Sequence, residues 1–144
     1  MANAGYRIVM KWLLDTNVLS ELRRKQCEPR VKKWIAAQES DSMVISVMSL
    51  AEIRRGVELK RNKDPLQASI IEKWLILTTK RFAGSILPVT EEIADRWGRL
   101  PAKMPKPGID GFIAATALEH DLTVVTRNVA DFEKTGVRIV NPWK

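Results

Sequence analysis

Residues 12–24 read Trp12-Leu13-Leu14-Asp15-Thr16-Asn17-Val18-Leu19-Ser20-Glu21-Leu22-Arg23-Arg24. The apolar run at the front is too short for a helix, and its unbroken hydrophobicity is that of a strand buried on both faces. Asp15 follows directly, which places its carboxylate at the tip of that strand, and Thr16-Asn17 then opens a helix from Val18 to Arg24. Four more runs have the same character: Met43-Val44-Ile45-Ser46, Ser85-Ile86-Leu87-Pro88-Val89, Leu122-Thr123-Val124-Val125-Thr126 and Val137-Arg138-Ile139-Val140. Between the runs, apolar residues recur at helical spacing, as in Leu50, Ile53, Val57 and in Leu66, Ile70, Trp74, Leu77. Strands alternating with helices predict right-handed βαβ crossovers, and so a three-layer α/β/α sandwich around a central parallel sheet of four to five strands.

Composition agrees with one globular unit. The chain has 144 residues, 45% of them hydrophobic and 28% charged, with 7 Gly and 7 Pro. That excludes collagen-like, low-complexity and disordered classes. The lone Cys27 cannot form an internal disulfide, reads as a small buried hydrophobe, and points to a reducing cytoplasm. No apolar run approaches the roughly 18 residues of a membrane span, which predicts a soluble chain with no membrane partner. Residues 1–9 lack the apolar core of a signal peptide and read as a loose extension, with Met10-Lys11 the natural start and one domain over 10–144. The proline-rich stretch Leu100–Gly108 reads as a loop, and Trp12, Trp34, Trp74, Trp97 and Trp143 as core or partner-facing anchors.

With 24 Lys and Arg against 17 Asp and Glu the net charge is +7, and the excess lies mostly in residues 11–63. The clusters Arg23-Arg24-Lys25, Arg30 with Lys32-Lys33, Arg54-Arg55 and Lys60-Arg61 suit either a solvated face or a surface that follows a phosphate backbone.

In an open parallel sheet, ligands bind beyond the carboxyl ends of the strands, and four acids fall at or near those ends. They are Asp15, Glu52 early in the helix after the second strand, Asp110 in the first turn of the helix opened by Pro107-Gly108, and Asp131 just past the fourth strand. Each alone has a structural explanation. Asp15 can cap a helix, Ser49-Leu50-Ala51-Glu52 fits a capping box, Asp110 suits a helix dipole, and Asp131 a turn. Together, carboxylates converging at one sheet edge repel unless a cation neutralises them. An all-oxygen cluster without His or Cys suits a hard divalent ion such as Mg²⁺ or Mn²⁺. Such an ion lowers the pKa of a bound water and stabilises charge on phosphoryl oxygens, so the expected reaction is in-line attack of the activated water on a phosphodiester. His120, at the end of its helix, needs no catalytic role.

These residues carry a resemblance. Leu13-Leu14-Asp15-Thr16-Asn17-Val18-Leu19-Ser20-Glu21, then Ile45-Ser46-Val47 leading into Leu50-Ala51-Glu52-Ile53, then Ile109–Ala117, then Thr126-Arg127-Asn128-Val129-Ala130-Asp131-Phe132 resemble the successive motifs of PIN-domain ribonucleases, and the closing Asn141-Pro142-Trp143 is similar to the ending of the VapC and FitB group. The match in order and spacing covers residues 10–144. The resemblance implies a Mg²⁺- or Mn²⁺-dependent endoribonuclease, the toxin of a type II toxin–antitoxin system. By motif position it implies Asp15 and Asp110 as principal metal ligands, Glu52 as a direct or water-mediated ligand that helps orient the attacking water, and Asp131 assisting. Thr16, Asn17 and Ser46 would orient the cluster by hydrogen bonds. Asn128 stands where much of the family has a carboxylate, which favours one tightly held ion over two. The resemblance further implies an RNA substrate, homodimers, and a small cognate antitoxin that holds the toxin inactive. The amphipathic helices 18–38 and 48–60 offer candidate surfaces for those partners. A FitB-like role in a DNA-bound complex is the alternative within the family.

Two other classes fit less well. Phospho-accepting receivers resemble one another in an acidic pair at the first strand's end, and haloacid-dehalogenase-type phosphatases in D-x-D there, whereas Asp15-Thr16-Asn17 carries one acid. A binding module that kept the fold without activity is the third option.

Overall fold

A computed structural model describes residues 9–144; the expected extension, residues 1–8 of it, lies outside the described residues. Five parallel strands form one sheet: β1 (Trp12–Leu14), β2 (Met43–Ser46), β3 (Ile86–Leu87), β4 (Thr123–Val125) and β5 (Arg138–Val140), in the order β3-β2-β1-β4-β5. Helices α1 (Thr16–Arg23), α2 (Pro29–Ala36), α3 (Val47–Arg61), α4 (Pro65–Arg81), α5 (Glu91–Gly98), α6 (Gly108–His120) and α7 (Val129–Glu133) connect them. The architecture is the predicted three-layer sandwich. Among the described residues no helix is long and apolar enough to cross a membrane.

The strands hide a two-residue period inside their continuous apolar runs. Leu13, Val44 and Val124 pair across the sheet, with Leu13 in register with both partners, and their side chains join Ile113, Ala114 and Ala117 of α6 and Phe132 of α7 on one face. Leu14, Ile45 and Val125 point the other way, into a cluster with Val18, Val31, Ile53 and Leu75 from α1 to α4. Each buried Leu or Ile contributes about 2 kcal/mol relative to an exposed one, so a one-residue slip of β1 would exchange both faces and is strongly disfavoured.

The structure corrects several boundaries. The stretch 18–38 is two helices: α1 stops at Arg23, where Arg24 turns extended, and Pro29, which holds Glu28 out of the helical region, then serves as the first residue of α2. β3 has two residues where the apolar run spans five, since Pro88 offers no N–H to extend an edge strand. The short helix α7 has no periodic signal, yet it buries Phe132 completely. Two features within the basic half also depart from a phosphate-following surface. Arg54 and Arg61 both pair with Glu58 and Glu72, tying α3 to α4, and Arg24 and Arg30 pair with Glu21 and Glu28. Glu72, within the helical run of α4, supplies the counter-charge that the run of basic residues alone does not reveal.

Candidate functional site

Strand order creates the site. From β1 the chain steps one way to β2 and β3, and it later returns on the other side of β1 as β4, so the direction of winding reverses between β1 and β4. Beyond the carboxyl ends of these two strands, an open α/β sheet leaves a crevice. Asp15 directly follows β1 and Thr126 directly follows β4, and they meet there. Asp15 is nearly sealed, with 3% of its surface exposed. Its Oδ1 accepts from the backbone N–H of Thr16 at 2.7 Å, so it does cap α1, and its Oδ2 accepts from the Thr126 hydroxyl at 2.8 Å.

Thr126 is the hub. Its Oγ1 also accepts from Asn17 Nδ2 at 3.2 Å and from the backbone N–H of Asn128 at 2.9 Å. The Asn17 Oδ1 in turn accepts from the Arg127 backbone N–H at 3.4 Å. One hydroxyl thus fixes the end of β4, the start of α1 and the orientation of the Asp15 carboxylate. Thr126 is absent from the candidate site residues read from the sequence, although it ends an apolar run and opens the motif Thr126-Arg127-Asn128.

A second hydroxyl pair anchors α3. Thr16 Oγ1 donates to Ser49 Oγ at 2.9 Å, and Ser49 is fully buried. The capping-box explanation of Glu52 therefore fails: Ser49 lies inside α3, and the cap is Ser46, whose Oγ accepts from the Met48 N–H at 3.0 Å. Glu52 is exposed and turned to the crevice. Among the described residues Ser46 has no hydrogen bond to an acid; it acts on the site by setting where α3 begins.

The start of α6 delivers Asp110. Gly108 enters the helix at φ +59°, a left-handed conformation that favours glycine, and Gly111 leaves no room for a Cβ, which would strike the Pro107 Cβ and the Trp97 indole. Trp97 stacks on Phe112 with ring centroids 5.0 Å apart and donates from Nε1 to the Gly108 carbonyl at 3.1 Å. This clamp holds the first turn of α6, and with it the Asp110 carboxylate, against the crevice.

Asp15, Glu52 and Asp110, from three different elements, line one cleft of about 420 Å³ together with Thr16, Asn17 and Asn128. Asp131, exposed on α7, lines neighbouring depressions, one of which it shares with Asp110. Burial raises the Asp15 pKa above the usual carboxylate range; the Thr126 hydroxyl and the Thr16 N–H partly offset this, while Glu52 and Asp131 add to it. Asp110 is pushed up to about 6, first by burial and then by the charges of Asp15, Glu52 and Asp131. No ion pair among the described residues involves any of the four acids.

Whether this donor set suits a divalent cation turns on its chemistry. It is all oxygen, partly buried and mutually repelling, which is what Mg²⁺ or Mn²⁺ takes and what softer metals do not prefer. Among the described residues no three His, Cys, Asp or Glu side chains close on one point, so the acids form an electrostatic cluster rather than a finished ligand shell. The residues fit a hard cation. Arg23, Arg24, Arg127 and Trp143 also line the cleft.

Residues 12–137 match the family model of the PIN domain. The chain is 37% identical over 139 residues to Toxin FitB of Neisseria gonorrhoeae, a match covering 91% of this chain and 97% of FitB. It is 32% identical over 144 residues to a VapC ribonuclease of Sinorhizobium fredii, covering 92% and 97% respectively. Among solved structures, FitAB bound to a DNA fragment is similar with a TM-score of 0.80 at 33% identity, over 92% of this chain and 96% of that one.

Proposed function

The chain belongs to the PIN-domain family, in its VapC and FitB group, and from that premise we propose that it is a metal-dependent endoribonuclease serving as the toxin of a toxin–antitoxin pair. One observation carries the reading: Asp15, Glu52 and Asp110 share a cleft at the point where the winding of the sheet reverses, with the Asp15 and Asp110 pKa values raised and, among the described residues, no basic side chain paired to them. The name of the S. fredii relative supports ribonuclease activity.

Asp15 and Asp110 would hold the ion, Mg²⁺ or Mn²⁺. Bound there, it supplies a water of lowered pKa and neutralises charge developing on the phosphoryl oxygens. Thr126 and the Thr16 N–H aim the Asp15 carboxylate and favour its charged form, partly offsetting the effect of burial. Glu52, exposed and without a hydrogen-bond partner among the described residues, is free to orient the attacking water and receive its proton. Asp131 adds negative charge from beyond Asp110, and neutral Asn128 leaves the cluster one carboxylate short of a second strong site, which favours a single ion.

The reading includes a protein partner, an antitoxin that covers the site, and a homodimer. The FitAB–DNA structure supports a second reading, in which the chain works within a DNA-bound complex. The test is incubation of partner-free protein with total RNA and defined hairpins in Mg²⁺, Mn²⁺ or EDTA, beside an Asp15→Asn/Asp110→Asn double variant. Discrete cuts that vanish with EDTA and in the variant are expected. Folded protein that cuts no RNA with either metal overturns the nuclease reading in favour of the DNA-bound one.

A further inference from the structure

Arg24 and Arg30 near the site are neutralised by carboxylates, but Arg127 forms no ion pair among the described residues. Its guanidinium lies over the Trp143 ring instead, 5.5 Å from the centroid. The pair is built into place. The Arg127 N–H donates to Asn17, and the Trp143 N–H donates to Asn141 Oδ1 at 2.9 Å across the buried Pro142.

Trp143 also stands apart from the other four tryptophans. Trp12 and Trp34 pack edge to face, Trp97 clamps α6, and Trp74 packs on the core with Arg23 over it. Trp143 packs on the core as well, yet it lines two clefts at once: the acidic one, and a second of about 830 Å³ that runs past Arg30, Asn128 and Asp131. Arg127 and Asn128 line both in the same way. The Arg127–Trp143 pair is therefore the sill between the acidic cleft and its neighbour.

We infer that this sill is a nucleotide platform: a single RNA strand, its scissile phosphate in the acidic cleft, continues over Arg127 and Trp143 into the second cleft, a base packing on the indole–guanidinium pair and a phosphate pairing with Arg127. The inference deepens the proposed ribonuclease reading and rests on it. Single strands are the ligands whose chemistry matches, because they alternate a π-face with a phosphate, and aromatic rings and unpaired guanidinium groups bind those two in turn.

The experiment measures anisotropy of fluorescent oligouridylates of about four and about twelve nucleotides bound to full-length Asp110→Asn protein, which binds without cutting. In that background Trp143→Ala weakens binding of the longer strand about 5- to 150-fold, the range that loss of one base–aromatic stack spans, and affects the shorter strand less. Trp143→Phe retains most of the affinity, which separates stacking from a folding defect. Arg127→Ala lowers the slope of log affinity against log salt by about one contact. An abasic nucleotide at one position of the longer strand reproduces the Trp143→Ala loss and is not additive with it.

Wild-type protein that cuts RNA, with Trp143→Ala and Arg127→Ala binding the longer strand as tightly as their parent, overturns the platform and leaves the nuclease reading standing. The second cleft then belongs to another occupant, such as a partner protein's tail. If the wild-type chain neither binds nor cuts any RNA, both fall.

Discussion

Replacing Asp110 by Asn should make the metal-free protein more stable while abolishing its activity. The Asp110 carboxyl ordinarily titrates near 3.8, and in the folded protein it is pushed up to about 6. A raised carboxylate pKa means that the folded state prefers the protonated form. The stability linked to this group is fully present below 3.8, is lost as pH rises through 6, and at neutral pH the ionised group opposes folding. For a fully buried group, a rise from 3.8 to about 6 corresponds to roughly 3 kcal/mol. Asp110 is only half-buried, so solvent screening reduces that to about 1 kcal/mol. For a domain of this size such a gain raises Tm by about 4 °C. Asn fills nearly the same volume, and among the described residues no hydrogen bond to the Asp110 side chain is lost.

The assay is thermal and urea unfolding of both proteins in EDTA at pH 7.5, repeated at pH 4. An Asp110→Glu variant, which changes the side chain but keeps its charge, serves as the control and should not share the gain. The Asp110→Asn protein should be more stable than wild type at pH 7.5, and the gap should close at pH 4, where the wild-type carboxyl is largely protonated. Adding Mg²⁺ should stabilise the wild type more than Asp110→Asn, since a ligand stabilises the state that binds it. An Asp110→Asn protein less stable than wild type at pH 7.5 in EDTA, or a gap independent of pH, would refute the account of Asp110 as a repelled, half-buried charge.

Three other outcomes follow from the same geometry. RNA cleavage should fall as pH drops through about 6, because a protonated Asp110 cannot ligate; the midpoint should move lower as Mg²⁺ is raised, since metal and proton compete for the same carboxylate, and a midpoint insensitive to Mg²⁺ would separate the two. Thr126→Val should cost about 1–3 kcal/mol in urea unfolding and at least about tenfold in cleavage, because Asp15 Oδ2, Asn17 and the Asn128 N–H lose their shared partner, whereas Thr126→Ser should restore most of both. Gly111→Ala should cost about 1–3 kcal/mol and lower activity with it, because its Cβ meets Pro107 and Trp97 and must push the start of α6 and Asp110 outward; unchanged unfolding would show that the clamp yields freely.

The basic runs show where reading along the chain stops. Arg54 and Arg61 look available for phosphate, but partners on α3 and α4 claim them, and a partner such as Glu72 is invisible until two helices are laid side by side. Conversely, Arg127 sits in a stretch of no special charge, and it becomes a fixed cation at the site only because Trp143, just past β5, folds beneath it. The capping box that Ser49 and Glu52 spell is not formed, for a local reason. Two serines compete to start α3, and the buried hydroxyl contact with Thr16 decides for Ser46 as the cap.

Alternating apolar runs and helical periods determined by themselves that the chain forms a layered parallel α/β fold, because strand and helix periods are set within a few residues and survive any packing. The position of Asp15 at a strand tip was equally local. Strand order was not. That β4, rather than β3, lies against β1 is decided by which faces bury best across the whole sheet, and only this brings Thr126 onto Asp15 across 111 positions of sequence and opens the crevice where α1, α3 and α6 present their acids. The raised pKa of Asp110 is tertiary in the same sense: it depends on burial and on three charges that the sequence holds far apart and the fold sets side by side.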